Sequence, residues 1–179
     1  MSDLLDKIEC RVKSYGNCTS EEKGYILKIL VMAFGEDNDP YLLPTCDVVM
    51  FYYGKYLVGI VTGMENYDLV MNNEHYQSNK STYHVDYDKK GVFIYNLAVL
   101  RSCRKKGLGD ALVKVLMNHY KKKGVDYFHT QVDDDNIGSS RIFEKNGFKV
   151  QKTLANSKNK NFKLMTFFYK KDLKDPLDV

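Results

Sequence analysis

Val92-Phe93-Ile94-Tyr95-Asn96-Leu97-Ala98-Val99-Leu100 is the most apolar run of the chain, and four residues later it is followed by Arg104-Lys105-Lys106-Gly107-Leu108-Gly109. The first stretch reads as a central strand buried on both faces. The second reads as a basic, glycine-bearing turn. Beyond it Leu108, Ala111, Leu112, Val115, Leu116 and His119 fall on one helical stripe, closed by Lys121-Lys122-Lys123 and Gly124. Strand, basic turn and helix start together make an anion site, because the first amides of a helix have no partner and the dipole is positive there. Gly107 lets the backbone turn and approach an oxygen, Gly109 keeps that space free of a side chain, and Arg104, Lys105 and Lys106 supply countercharge.

Upstream, Ile8 to Tyr15 alternates apolar residues (Ile8, Cys10, Val12) with charged ones (Glu9, Arg11, Lys13), the pattern of a strand with one wet face. Thr19-Ser20-Glu21-Glu22 is a capping box, and a helix follows it to about Phe34, where Gly35 stops it. Asp47 to Tyr53 and Tyr56 to Gly63 are strands joined by the tight link Gly54-Lys55. Met64 to Gly91 is polar and rich in tyrosine without a sustained period, as an insertion or lid would be. Downstream, Asp126 to Val132 reads as a strand and Ile137 to Asn146 as a short helix ended by Gly147. Phe148 to Leu154 and Phe162 to Tyr169 read as a closing antiparallel pair.

Composition narrows the function classes. The chain has 179 residues, 44% apolar and 28% charged, enough for one core, so a single domain over 1–179 is expected, with the insertion at about 64–91. Its 27 basic residues are offset by 23 acidic ones, which argues against a nucleic-acid partner. Without a long apolar run no membrane span is expected. The acidic start Met1-Ser2-Asp3 does not read as a targeting peptide. The expected setting is therefore soluble, intracellular and cytoplasmic. There the irregularly spaced Cys10, Cys18, Cys46 and Cys103 read as reduced thiols with no metal site among them.

Leu97-Ala98-Val99, the loop Arg104 to Gly109, and Asn136, Ser139, Ile142, Phe143, Gly147 and Phe148 at their spacing together resemble the GNAT superfamily of acyl-CoA N-acyltransferases. The family pattern is an L-x-V strand, a [Q/R]-x-x-G-x-[G/A] loop and a later N-x-x-[A/S]-x-x-[L/I]-[Y/F]-x-x-x-G-F. The resemblance implies an α/β (α+β) fold with a central mixed, mainly antiparallel sheet of about six to seven strands and flanking helices. It implies acetyl-CoA as cosubstrate. The pantetheine would pair with the main chain around Leu97, Ala98 and Val99, and the pyrophosphate would sit on Arg104, Lys105, Lys106, Gly107, Leu108 and Gly109. Asn136, Ser139 and Phe143 would lie along the pantetheine, and the acetyl oxygen would face a main-chain amide near Val99.

The implied activity is acetyl transfer to a primary amine, on a small molecule or a protein lysine or N-terminus, by direct transfer in a ternary complex. The alternative is a non-catalytic module that binds or senses acyl-CoA. A phenylalanine, Phe143, stands where many members carry a tyrosine that protonates the departing sulfur, and Arg101 stands where proline is common. Freeing an amine of pKa ~10.4 at neutral pH costs roughly 4 kcal/mol, so a base is expected. Tyr95 and His129 are the candidates by position. For His129 the plainer reading is a strand histidine satisfied by local hydrogen bonds, and for Asp133, Asp134 and Asp135 a solvated turn. Cys103 is a more remote nucleophile candidate with no histidine beside it in sequence. Asp110 opens the helix beside the proposed phosphate site and is expected to point away from it. A monomer or a homodimer is compatible with the sequence.

Overall fold

The computed structural model describes residues 4–36, 42–66, 89–155 and 164–170. Among them are seven strands: β1 (Ile8–Ser14), β2 (Asp47–Tyr53), β3 (Tyr56–Glu65), β4 (Gly91–Val99), β5 (Tyr127–Asp133), β6 (Lys149–Ala155) and β7 (Leu164–Lys170). Three α-helices accompany them: α1 (Ser20–Phe34), α2 (Leu108–Lys121) and α3 (Ile137–Lys145). The core of the expected insertion, 67–88, and the start of the last expected strand at Phe162 lie outside the described residues. The fold class is the mixed α/β one implied above: all the strand pairings except that of β4 with β5 are antiparallel where their registers are defined.

The described residues of Met1–Met64 and Asn96–Leu116 form one compact unit, and those of Glu65–Tyr95 and Met117–Asp178 form another. The first carries the strand sequence β1-β2-β3 and then β4, the second β4-β5-β7-β6. In the first unit β1 runs antiparallel to β2 from Ile8↔Tyr53 to Ser14↔Asp47, and β2 runs antiparallel to β3 around the Gly54 turn, where φ is +58°. Helix α1 starts as its sequence demands. The Thr19 hydroxyl accepts from the Glu22 amide at 3.1 Å, and the Glu22 carboxylate accepts from the Thr19 amide at 2.8 Å. Ile26, Ile29 and Leu30 of α1 pack on Val48, Met50, Tyr52, Ile60 and Ala98.

One face was misread from the pattern of β1. Cys10 and Val12 are exposed, whereas Arg11 and Lys13, on the face expected to be wet, are half-buried. The cause is Glu22, buried at the start of α1, which Lys13 Nζ meets at 2.8 Å while the Arg11 guanidinium lies 4.5 Å from the centre of the Tyr52 ring. A buried carboxylate requires a cation, and that requirement outweighed the burial of Cys10 and Val12. The hydrogen bond from Lys13 is the largest influence holding the Glu22 carboxyl below its ordinary value.

In the second unit the parallel ladder of β4 with β5 comprises four pairs, from Gly91↔Tyr127 to Ile94↔Thr130, and both strands continue beyond it. The Thr130 hydroxyl closes the ladder by donating to the Ile94 carbonyl at 2.8 Å. Beneath it lies a buried polar cluster. Asn66, just past β3, bonds through its amide nitrogen to the Tyr127 hydroxyl, and its Oδ1 lies 2.7 Å from His129 Nε2. A Cβ at Gly91 would overlap both Asn66 and Tyr127, so only glycine fits there. With Asn66 Oδ1 as acceptor, His129 carries its proton on Nε2. Burial drives the imidazole down from 6.5 to about 3.

Glu22→Gln is expected to lower the unfolding free energy by about 1–3 kcal/mol at neutral pH. A depressed carboxyl stabilises the fold above its unfolded value and loses that contribution as the pH falls through its native one. The difference between the two proteins should therefore shrink below pH 4.5 in denaturant titrations. His129 adds a second acid-sensitive element. The unfolded chain protonates it near pH 6.5 and the native chain only near 3, so stability falls as the pH drops between these values. The slope should be shallower in His129→Gln by up to one proton, about 1.4 kcal/mol per pH unit. An unchanged slope would refute the buried neutral state.

Candidate functional site

The loop between β4 and α2 has a backbone geometry that suits an anion, which its composition alone does not show. After a 3-10 turn at Arg101–Cys103 the backbone enters the left-handed region twice, at Lys105 (φ +61°) and at Gly107 (φ +83°). Glycine takes that conformation freely; a lysine there is uncommon and is imposed by its surroundings. Alternation of this kind turns successive amides toward one concave side, the geometry of an anion-binding nest. The Gly107 carbonyl accepts from the Ala111 amide at 3.0 Å as the first turn of α2, which leaves the amides of Leu108 and Gly109 at the positive end of the helix. Leu108 and Gly109 are buried, while Arg104, Lys105 and Lys106 are exposed.

Two neighbours tune this loop. Arg104 Nε donates to the Val99 carbonyl at 3.0 Å, tying the loop to the end of β4. Asp110 Oδ2 lies 3.8 Å from Lys114 Nζ one turn along α2, a pairing that offsets the charge of the carboxylate at the helix start. In β4 itself Ala98 is buried while Leu97 and Val99 are half-exposed and Tyr95 is 39% exposed. The expectation of a strand buried on both faces therefore holds for Val92 to Ile94 and fails toward Val99. Beyond the pairing with β5 the burial alternates, Asn96 and Ala98 staying buried while Tyr95, Leu97 and Val99 do not. Gly59 of β3 is the close-approach point on the α2 side: a Cβ there would stand 3.0 Å from Leu112 Cδ1 and 3.5 Å from Val99 Cγ2.

The later motif residues sit on α3. Asn136 is its N-cap, with Oδ1 accepting from the Ser139 amide at 3.2 Å, so the N-x-x-S spacing has a local structural role whatever else it does. Phe143 is buried at 2% exposure with its ring edge-on to Phe148, centroids 5.2 Å apart. Gly147 ends the helix at φ +79°.

The base candidates differ sharply. His129 is buried, held by Asn66 and stacked obliquely on Phe93 at 5.0 Å, so the local hydrogen bonding foreseen for it is present. Tyr95 is open to solvent, its ring 5.5 Å from that of Phe93. Asp134 and Asp135 form an exposed turn. His119, expected in the core, is half-buried and edge-on to Tyr120. All four cysteines are free thiols; burial pushes the Cys46 thiol up to about 12, and Cys103 Sγ has the Ser102 hydroxyl at 3.8 Å. Among the described residues no group of His, Cys, Asp and Glu has the geometry to hold a metal ion. No described helix is long and apolar enough to cross a membrane.

Sequence reading passed over two residues. Asn66, beside the unreadable insertion, gave no signal because its partners are 61 and 63 positions away. Asn96 interrupts the apolar run of β4 and was the one polar break worth noting. It is buried, its amide donates to Thr62 Oγ1 at 3.0 Å, and its side-chain Nδ2 meets no partner among the described residues.

A search of curated proteins returns no match. Solved structures of the same fold are numerous. An acetyltransferase of Bacillus subtilis in complex with CoA is 19% identical, with 93% of this chain and 100% of that one aligned at a TM-score of 0.66. A GNAT acetyltransferase of Elizabethkingia anophelis with acetyl-CoA bound is 15% identical over 93% and 99% of the two chains at 0.63. NAA60 of Arabidopsis thaliana with a bisubstrate analogue is 15% identical over 90% and 97% at 0.65. At these identities the likeness is one of fold. The sequence pattern of the acetyltransferase (GNAT) family, by contrast, matches residues 13–148, from β1 to the end of the α3 motif, and the chain belongs to that family.

Proposed function

We propose that this acetyltransferase moves an acetyl group from acetyl-CoA to a primary amine in a ternary complex, acting as one catalytic domain. The observation that carries the reading is the left-handed pair Lys105 and Gly107 ahead of α2, because a strained lysine conformation beside free helix amides has a physical purpose in seating a phosphate. CoA and acetyl-CoA are the ligands of two of the structural neighbours, and the stretch that matches the family, residues 13–148, includes this loop.

In this reading the pyrophosphate takes the amides of Gly107 to Gly109, with Lys105 and Lys106 as countercharge. The pantetheine runs along β4 from Leu97 to Val99, past the point where the ladder with β5 has ended, and Asn136, Ser139 and Phe143 complete the cosubstrate residues. The neutral amine attacks the thioester carbonyl carbon, its oxygen taking up charge toward a β4 amide near Val99. The C–S bond then breaks, the amide forms, and CoA leaves as thiolate. One amine proton must be removed. His129, held neutral with a pKa of about 3, accepts a proton poorly at neutral pH, and a phenol such as that of Tyr95 orients a water rather than taking the proton itself, so a solvent path suits that task better.

Gly109→Glu places bulk and negative charge at the phosphate seat. It is expected to abolish acetyl-CoA binding in calorimetric titration while leaving the thermal unfolding transition in place. Binding unchanged in a folded variant would remove the loop from the site.

Phe143→Tyr tests the departing group. A thiol of pKa near ~8.5 leaves tolerably without an acid. An enzyme already working without that hydroxyl should change kcat by about tenfold or less, whereas general acids needed for turnover contribute ~100-fold or more. If the wild type binds acetyl-CoA without transferring it and the variant does transfer, the non-catalytic binding module is the better description of the native chain.

A further inference from the structure

Hydrogen bonds do little to hold the left-handed turn ahead of α2. Arg104 Nε reaches the Val99 carbonyl and the Gly107 carbonyl takes the Ala111 amide, but the amides of Lys105, Lys106 and Gly107 donate to no described residue. A lysine at φ +61° is in a costly conformation that its neighbours must impose. The partial charges of amides turned to one concave side also oppose that shape until an anion arrives. A loop with so few bonds spreads over several conformations unless something packs on it.

The neighbour that packs on it comes from the segment ahead of β1. Leu5–Lys7 form a 3-10 turn, in which the Lys7 amide donates to the Leu4 carbonyl at 3.2 Å. The register Ile8↔Tyr53 places the start of β1 beside the end of β2, and β3 begins just beyond at Tyr56. The Leu100 amide, donating to the Val58 carbonyl at 2.9 Å, brings the end of β4 to the same end of the unit. The turn before β1 and the loop after β4 therefore meet, although they lie at opposite ends of the unit in sequence. A Cβ built on Gly107 would stand 3.7 Å from Leu5 Cδ1, with no other atom outside its chain neighbours within 4 Å. Leu5 keeps 37% of its surface in water and covers the rest.

Resting on the acetyl-CoA reading of the loop, we propose that Leu5 is a positioning residue for the cosubstrate: its side chain braces Gly107 and holds the turn from Lys105 to Gly107 in the shape that receives the pyrophosphate. The apparent affinity of a seat is its intrinsic affinity multiplied by the fraction of molecules in which the seat is formed, so a brace acts on binding without touching the ligand. Leu5 supplies neither charge nor donor. Its effect is confined to the order of the loop and the affinity for acetyl-CoA.

The test compares wild type, Leu5→Ala and the volume-conserving Leu5→Met by calorimetric titration with acetyl-CoA and by amide order parameters of the unliganded proteins. In Leu5→Ala the dissociation constant should rise about tenfold, as it does when one molecule in ten has the seat formed. The order parameters of Lys105 to Gly107 should fall from about 0.85 toward 0.6 while those of β1 and α2 hold. The thermal midpoint should drop by at most about 4 °C, since Leu5 is partly exposed. Leu5→Met should restore both affinity and order. If Leu5→Ala does not fold, Leu5→Val reads the same quantities with a smaller step. An unchanged dissociation constant, or order parameters at 105–107 that stay at the wild-type level, would overturn the proposal and leave the acetyl-CoA reading intact. Order lost equally in β1 and α2 would overturn it too, by making Leu5 a general support of the fold. A folded wild type that does not bind acetyl-CoA removes both readings.

Discussion

The β4–β5 ladder is short relative to the strands that make it. Four residue pairs are joined, Thr130 caps the last of them on the Ile94 carbonyl, and β4 then runs five residues further to Val99. Backbone groups must find partners somewhere, and a strand that ends its pairing on one edge before it ends its extended conformation leaves the main-chain groups of that edge available for a ligand. That constraint makes the rest of the arrangement intelligible. Leu97 and Val99 are half-exposed, the Arg104 side chain folds onto the Val99 carbonyl, and the chain turns directly from the strand end into the left-handed loop ahead of α2.

Function in such a site rests on position more than on reactive side chains. In the proposed reading the anion seat is backbone amides and a helix end, the oxyanion donor is an amide, and the thiol is a leaving group that departs without much assistance. The titratable groups most deeply set in the fold serve stability instead. Glu22 fastens α1 to β1 through Lys13, and His129 is locked by Asn66 above Gly91. Both make the fold sensitive to acid for the same thermodynamic reason, since each binds its proton more readily in the unfolded chain: the carboxylate because unfolding removes its Lys13 partner, the imidazole because unfolding ends its burial.

Much of this was legible in the residues. The capping box of Thr19 and Glu22, the glycine stops at Gly35 and Gly147, the Gly54 turn and the amphipathic stripe of α2 are interactions between residues a few positions apart, and the strand and helix boundaries fell within a few residues of their reading. The loop proposed to seat the phosphate was read on the same kind of signal, since charge, glycine and helix start are contiguous. Family membership followed from the spacing of two such local motifs.

What the residues could not disclose involves partners distant in sequence. Alternation in β1 marked a strand but could not say which face α1 covers; the buried Glu22 decided it, turning Arg11 and Lys13 inward. Lys105 is left-handed through its surroundings, not through any preference of lysine. His129 is neutral because Asn66 and Phe93 enclose it. Periodicity, capping and turn chemistry act over a single turn or pair of residues, so the sequence alone determined the elements and the glycine-bearing turn ahead of α2. Burial and electrostatic pairing act through space, and only the tertiary structure decided which side chains are enclosed, which are charged and which are left facing a ligand.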